Sequence, residues 1–263
     1  MTKTELLDKY GRDEESRLLL GRVLDKLDGA RNRSVPGTTG FLSAAQQSLV
    51  TGVLAAVGHP PHVFCGGYEG AERAICVFLP DWMGEEDVSP EDYLAALRCK
   101  MPRDAELSHR DYLGSLMGLG LVREKIGDIL VTETGCDLVV LREVSPILRA
   151  QLDTVGRYRC GLEPLELTEL VPQTTEVKLV RDTFHSLRCD AVAAAGFGLP
   201  RVKAASLISG GKLEVNHAPC DKPDRILAEG DTLTCRGLGK CVLARVTGQS
   251  KKGRIMVEME RYI

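Results

Sequence analysis

LRCDAVAAAGFGLPRVKAASLISGGKLEVN, residues 187–216, decides the fold of the C-terminal third. Its first part, Leu187–Gly196, predicts a short helix, and Phe197–Leu199 a turn. Pro200 then opens a second helix where its missing N–H costs nothing. Gly210 and Gly211 end that helix, and Lys212–Asn216 predicts a strand. Ala204 and Ile208 are four residues apart, so they share a face that should pack on Cys189, Val192 and Ala193. Arg188, Arg201, Lys203 and Lys212 are then left on one small surface. Cations clustered at a helix N-terminus suit a phosphate backbone, since charge and N–H groups both attract anions. Asn216 either closes a tight turn or hydrogen-bonds a sugar or base.

Working outward, short strands are expected at Thr232–Arg236, Cys241–Thr247 and Arg254–Met259. Together with residues 187–211 they make a small α-β domain over residues 187–263. Residues 171–186, around Pro172-Gln-Thr-Thr, read as a linker. Residues 62–170 mix periods. Strands are expected at Val63–Cys65, Ala74–Leu79, Ile129–Thr132 and Leu138–Leu141, and an extended stretch at Leu165–Leu170. Helices are expected at Pro90–Leu97, Ser108–Met117 and Ser145–Val155. That alternation predicts a compact α+β sandwich of the ferredoxin or RNA-recognition type. Residues 1–61 read as a helical N-terminal part. It has a helix from Leu6 to Leu27, a loop from Asp28 to Gly40 carrying Arg31 and Arg33, and a helix at Ser43–Val57 capped by Ser43. The fold class is therefore α+β in three parts.

The charge is unevenly spread. The chain of 263 residues has 34 Lys/Arg and 37 Asp/Glu, a net charge of −3. Residues 171–263 hold 15 Lys/Arg against 10 Asp/Glu, which leaves 19 against 27 for residues 1–170. A basic module on an acidic body fits an RNA-binding attachment. No apolar run approaches the ~20 residues that span a bilayer. The charged start, MTKTELLDKYGRDEESR, is unlike a signal peptide, so a cytoplasmic protein without a membrane partner is expected. Nine scattered cysteines form no C-x-x-C pair, which predicts free thiols, no metal and no cofactor.

Several motifs then converge on a family. Arg188-Cys-Asp190, Pro200-Arg201-x-Lys203-Ala204, Ile208, Gly211-Lys212-x-x-Val215-Asn216 and Glu229-Gly230-Asp231 resemble the RNA-binding domain named after the fourth protein of the small ribosomal subunit. Cys189 stands where that pattern usually has leucine, and Pro200 where it usually has serine. Gly66-Gly67-Tyr68-x-x-Ala71-Glu72-Arg73, Ser108-His109-Arg110-Asp111-x-Leu113-Gly114-x-Leu116, Gly118-Leu-Gly120 and Arg123-Glu124-Lys125-Ile126-Gly127-Asp128 resemble the YlmH family of bacterial RNA-binding proteins over nearly the whole chain. The resemblance implies a role at the large ribosomal subunit, with ribosomal RNA and transfer RNA as partners. It also implies a link to ribosome-associated quality control of stalled nascent chains and to its factors. By the same resemblance Arg188, Arg201, Lys203 and Lys212 are the RNA-contact candidates, and Asn216 joins them on its own side-chain chemistry. Arg73, Arg110, Arg123 and Lys125 are secondary candidates for RNA or ribosome contact.

Catalytic readings find little support. His109-Arg110-Asp111 echoes a kinase loop without the other kinase motifs. Ser108, His109 and Asp111 are adjacent on one helix and point apart, so an N-cap with an acidic first turn is expected instead. Gly118-Leu-Gly120 lacks the third glycine of a dinucleotide site. Glu72 and Arg73 are expected to pair beside the turn at Gly66-Gly67, with RNA contact the alternative. Tyr68, Phe78 and Trp82 do not alternate along one strand, so base stacking on that sheet in the usual way is not expected. A non-catalytic binding protein is the leading expectation. An RNA-modifying enzyme (of the pseudouridine synthase or methyltransferase type) and a protein-docking scaffold are its rivals.

Overall fold

A computed structural model describes residues 1–171 and 177–262. They fall into two compact units, one within Met1–Gln173 and the other within Thr174–Ile263. Both mix helices with antiparallel sheet, so the fold is α+β. No single helix among the described residues is long and apolar enough to cross a membrane.

The first unit opens with α1 (Lys3–Tyr10) and α2 (Glu14–Arg33). The single helix expected over Leu6–Leu27 is broken at Gly11, where a side chain would strike the carbonyl of Leu7 and Arg17. Asp13 restarts the chain as N-cap, accepting from the Ser16 N–H at 2.7 Å. The expected loop begins only after Arg33, so Arg31 and Arg33 ride on the last turn of α2. After β1 (Gly37–Thr38), α3 (Ala44–Ala56) starts under a Ser43 capping box, as expected. Next come β2 (His62–Cys65) and β3 (Ile75–Phe78), which complete a three-stranded sheet in the order β1-β3-β2.

Then follow β4 (Leu94–Lys100), α4 (His109–Gly118), β5 (Ile126–Thr132), β6 (Gly135–Leu141), α5 (Ser145–Gln151), the short pair β7 (Thr154–Val155) and β8 (Tyr158–Arg159), and β9 (Gly161–Leu165). The four long strands pair antiparallel in the order β5-β6-β4-β9. Counting them along the chain gives β-α-β-β-α-β with the first and third strands central, the ferredoxin-like topology. Three expectations fail here. Residues 90–97 are a single tight turn at Pro90–Asp92 and then strand, not helix. The helix from Ser145 stops at Gln151 and Thr154–Val155 is strand. Beyond Leu165 the chain turns at Leu167–Glu169 instead of staying extended.

Three apolar cores stack through this unit. Leu97, Cys136, Leu138 and Val140 of the four-stranded sheet pack on Tyr112 and Leu116 of α4 and Leu148 of α5. Leu94, Ala96, Leu130 and Val139, on the other face, pack on Phe41, Cys65, Ile75 and Val77. Cys76 and Phe78, the alternate residues of β3, face Leu20, Val23, Val50 and Leu54 of α2 and α3. The layers run helix, sheet, sheet, helix. A boundary at residue 61/62 therefore does not hold, because β2 and β3 share a core with the N-terminal helices.

The second unit contains β10 (Val177–Phe184), α6 (Cys189–Phe197), α7 (Arg201–Ser209), β11 (Leu213–Val215), β12 (Ala218–Cys220), β13 (Thr232–Cys235), β14 (Gly239–Gln249) and β15 (Ile255–Tyr262). They form a six-stranded sheet in the order β10-β15-β14-β13-β11-β12. The expected linker over residues 171–186 is corrected in part. Val177–Phe184 is an edge strand whose eight residues pair with Tyr262 back to Ile255. Residues 172–176 lie outside the described residues. Ala204 and Ile208 share one core with Cys189, Val192 and Ala193, as their spacing predicts.

Candidate nucleic-acid interface

Asp190 organises the corner between α6 and α7. Its carboxylate is buried, yet it accepts from two guanidinium forks. Arg188 donates from Nε at 3.2 Å and Nη2 at 3.3 Å, and Arg201 from Nε at 3.1 Å and Nη2 at 3.0 Å. Burial pushes the Asp190 pKa up, but the Arg188 and Arg201 hydrogen bonds outweigh it and hold the carboxyl below its ordinary value. The arginine side chains remain 37 % and 57 % exposed, so each presents its outer N–H groups to solvent in a fixed plane. A guanidinium fixed in this way loses little entropy on meeting a phosphate.

The helix N-termini differ in what they offer. In α6 the N–H groups of Cys189 and Asp190 already donate to the carbonyls of Arg225 and Pro223, at 2.8 and 2.9 Å. In α7, with Pro200 as N-cap, the N–H groups of Arg201 and Val202 hydrogen-bond to no group among the described residues. Lys203 stands exposed on the same turn, and Val202 beside it is 84 % exposed. Lys212 is exposed where the chain enters β11, and its carbonyl accepts from the Arg236 N–H. Arg201, Lys203 and the α7 N-terminus thus form one anion-attracting surface, with Arg188 held to it through Asp190.

Asn216 takes the turn role. It and His217 have positive φ values of 53° and 61° and link β11 to β12 in a two-residue hairpin. Its Nδ2 donates to Asp231 Oδ1 at 2.7 Å and its Oδ1 accepts from the Thr232 N–H at 2.9 Å. Both ends of the amide serve the turn, while exposed Asn216 keeps a second N–H and a second lone pair for another partner.

The secondary candidates scatter. Arg73 does not pair with Glu72. It donates to the carbonyls of Ile126, Phe41 and Arg123 at 3.0, 3.0 and 3.2 Å. Arg123 donates to the carbonyls of Ile126 and Gly127. Burial pulls both guanidiniums below their ordinary pKa. Buried Asp128 completes this strut, accepting from the Tyr68 hydroxyl at 2.7 Å and the main-chain N–H groups of Glu72 and Arg73. Gly127 is needed there, since a side chain would meet the Phe41 ring at 2.7 Å. Arg73 and Arg123 are therefore structural. Lys125 pairs with Glu143, and Arg110 is exposed on α4. Ser108 is the N-cap of α4 and donates from both N–H and Oγ to Asp111.

The sheet face that reads bases in RNA-recognition domains is closed here. Its centre is packed under β2 and β3 by Leu94, Ala96 and Val139. At its open end Arg98 is held by Asp137 through two bonds of 2.8 Å, and Lys100 by Glu163 at 2.6 Å. Sequence reasoning missed this cover because Phe41, Ile75 and Val77, read separately, look like any core residues. Elsewhere, all nine cysteines are free and eight are buried. Burial pushes Cys76 up to about 12 and Cys241 up to about 11, which leaves them poor nucleophiles.

Comparisons with known proteins agree with this architecture. The model described as "Putative RNA-binding domain in YlmH" matches residues 91–169, and the S4 domain model matches residues 190–233. The "Ribosome-associated protein quality control protein P2" of Bacillus subtilis is 35% identical over 229 residues, covering 85% of this chain and 86% of that protein. The solved "Cell division protein ylmH from Streptococcus pneumoniae" superposes with a TM-score of 0.51 at 22% identity. It covers 60% of this chain and 96% of its own, a likeness of fold. With its putative RNA-binding domain and its S4 domain in that order, the chain belongs to the YlmH family of bacterial RNA-binding proteins.

Proposed function

We propose that this chain is a non-catalytic RNA-binding protein of the large ribosomal subunit, where it contacts ribosomal RNA and transfer RNA during ribosome-associated quality control in the cytoplasm. The observation that carries the reading is the α6–α7 corner: two guanidiniums fixed on one buried carboxylate, beside Lys203 and the α7 N-terminus. That arrangement suits phosphates of a folded RNA, because the cations are pre-set and sequence-blind. The quality-control role is supported by the name of the Bacillus subtilis relative. The non-catalytic reading is supported by the use of Ser108 and Asp111 as a helix cap and by the buried thiols.

The test replaces Lys203 and Lys212 by alanine, since neither side chain holds the fold together. On sucrose gradients of stalled ribosomes the wild type is expected with large subunits and the double variant in the top fractions, at an unchanged melting temperature. Normal co-sedimentation of the folded variant sinks the proposed contact surface. The non-catalytic reading fails if the protein changes the mass of undermodified ribosomal RNA in the presence of common cofactors.

A further inference from the structure

The positive charge of the C-terminal region does not reside in the segment that matches the S4 model. Residues 190–233 carry 5 Lys/Arg and 6 Asp/Glu. Residues 232–257, almost wholly beyond that match, carry Arg236, Lys240, Arg245, Lys251, Lys252 and Arg254 and no carboxylate at all. Three of these six cations sit at the tip of the hairpin between β14 and β15. The tip is a defined turn. The Ser250 N–H donates to the Arg254 carbonyl at 2.8 Å, the Gly253 N–H to the Ser250 carbonyl at 2.9 Å, and the Arg254 N–H to Ser250 Oγ at 3.1 Å. Lys251, Lys252 and Arg254 are all exposed. Arg254 Nη2 lies 3.1 Å from His185 Nε2, on the connection from β10 to Arg188.

We infer that the β14–β15 hairpin tip is a second phosphate-contact element for RNA, built on residues other than those of the α6–α7 corner. The inference rests on the RNA-binding reading and adds where the electrostatic attraction lies. β14 has eleven residues, so its ends are on the order of 35 Å apart at ~3.3 Å per residue. Lys212 and Arg236 lie at the β13–β14 end of the sheet and Lys251 and Lys252 at the other. A nucleotide is too small to touch both ends, whereas a folded RNA presents phosphates over that whole span. An exposed turn with three cations and no neighbouring acid gains little from intramolecular pairing, and it offers its full charge to counterion release.

The experiment uses the full chain and K251A/K252A, with K203A/K212A alongside. A transfer RNA transcript and an RNA hairpin serve as probes across a salt series, and phosphatidylcholine–phosphatidylglycerol vesicles as the rival anionic surface. Two lost phosphate contacts lower the log–log salt slope by about 1.8, at ~0.9 each. K251A/K252A should thus bind RNA more weakly at low salt. Between 50 and 200 mM salt it should lose about tenfold less affinity than the wild type. If K251A/K252A keeps the wild-type slope while K203A/K212A loses affinity, the hairpin inference is overturned and the RNA reading stands. Vesicle binding that vanishes in K251A/K252A, with RNA binding intact, assigns the tip to a membrane and also overturns it. A wild type that binds neither RNA probe overturns the RNA reading itself.

Discussion

Asp190 shows how a single carboxylate decides what two cations are available for. Arg188, Arg201, Lys203 and Lys212 are visible in the sequence as a cluster, whereas the structure puts Lys212 beyond the far end of α7 and leaves the other three at the corner. The pairing of Arg188 and Arg201 on one carboxylate is not visible, because it depends on the turn at Gly198–Pro200 folding α7 back towards the start of α6. The pairing also changes how Arg201 must be tested. Removing its side chain disturbs Asp190, so a loss of RNA binding in Arg201→Ala mixes grip with stability. Asp190→Asn is expected to destabilise the second unit by about 1–2 kcal/mol, since both forks lose their charged acceptor while staying in reach of water. Because the folded-state pKa of Asp190 is below its unfolded value, its contribution is full above the unfolded pKa. It is lost as pH falls through the folded value. Urea midpoints measured from pH 7 down to pH 2.5 should therefore fall more for the wild type than for Asp190→Asn. Parallel curves would show that the triad contributes nothing to folding.

At the scale of elements, the hydrophobic pattern was legible wherever one face of an element meets water. α3, α4, β2 and the α6–turn–α7 motif fall within a residue or two of their expected places. β4 was misread because it is covered on both faces. Leu94 and Ala96 meet one core and Ala95 and Leu97 the other, so LAAL has no polar alternation and looks helical. β10 was missed for the opposite reason. It is an edge strand exposed along most of its length, and polar residues there resemble a linker. In the sequence Arg73 reads as a partner of Glu72 or an RNA contact and Arg123 as a contact candidate, and neither reading anticipates a strut to main-chain carbonyls. Arg73 joins three carbonyls from two separate segments, one at residue 41 and one at residues 123–126. Arg73→Ala should therefore cost about 1–3 kcal/mol, because the Phe41 carbonyl loses its donor, whereas the Ile126 and Arg123 carbonyls still accept from the Arg123 guanidinium and the Ile126 N–H. In chemical denaturation its midpoint should drop clearly, while exposed Arg110→Ala matches the wild type. Equal midpoints for the two variants would remove the strut argument and return Arg73 to the list of contacts.

For the whole molecule, the decisive fact is that cohesion and charge are partitioned between the two units. The first carries three stacked cores and the acidic excess; the second has one core and the basic excess. The charge partition was legible by counting, whereas the tertiary cover of the central sheet was not, since no local pattern announces which sheet face is closed. Each unit has its own core, so each should unfold as its own cooperative block. Calorimetry of the full chain is then expected to resolve two transitions, with Arg73→Ala lowering only the one and Asp190→Asn only the other. RNA added before the scan should raise the transition that Asp190→Asn lowers, because a ligand stabilises the unit it binds. The shift should shrink as salt rises, in proportion to the phosphates contacted. If RNA instead raises the transition that Arg73→Ala lowers, the first unit is the RNA-binding body, and its open sheet end at Arg98 and Lys100 becomes the surface to mutate.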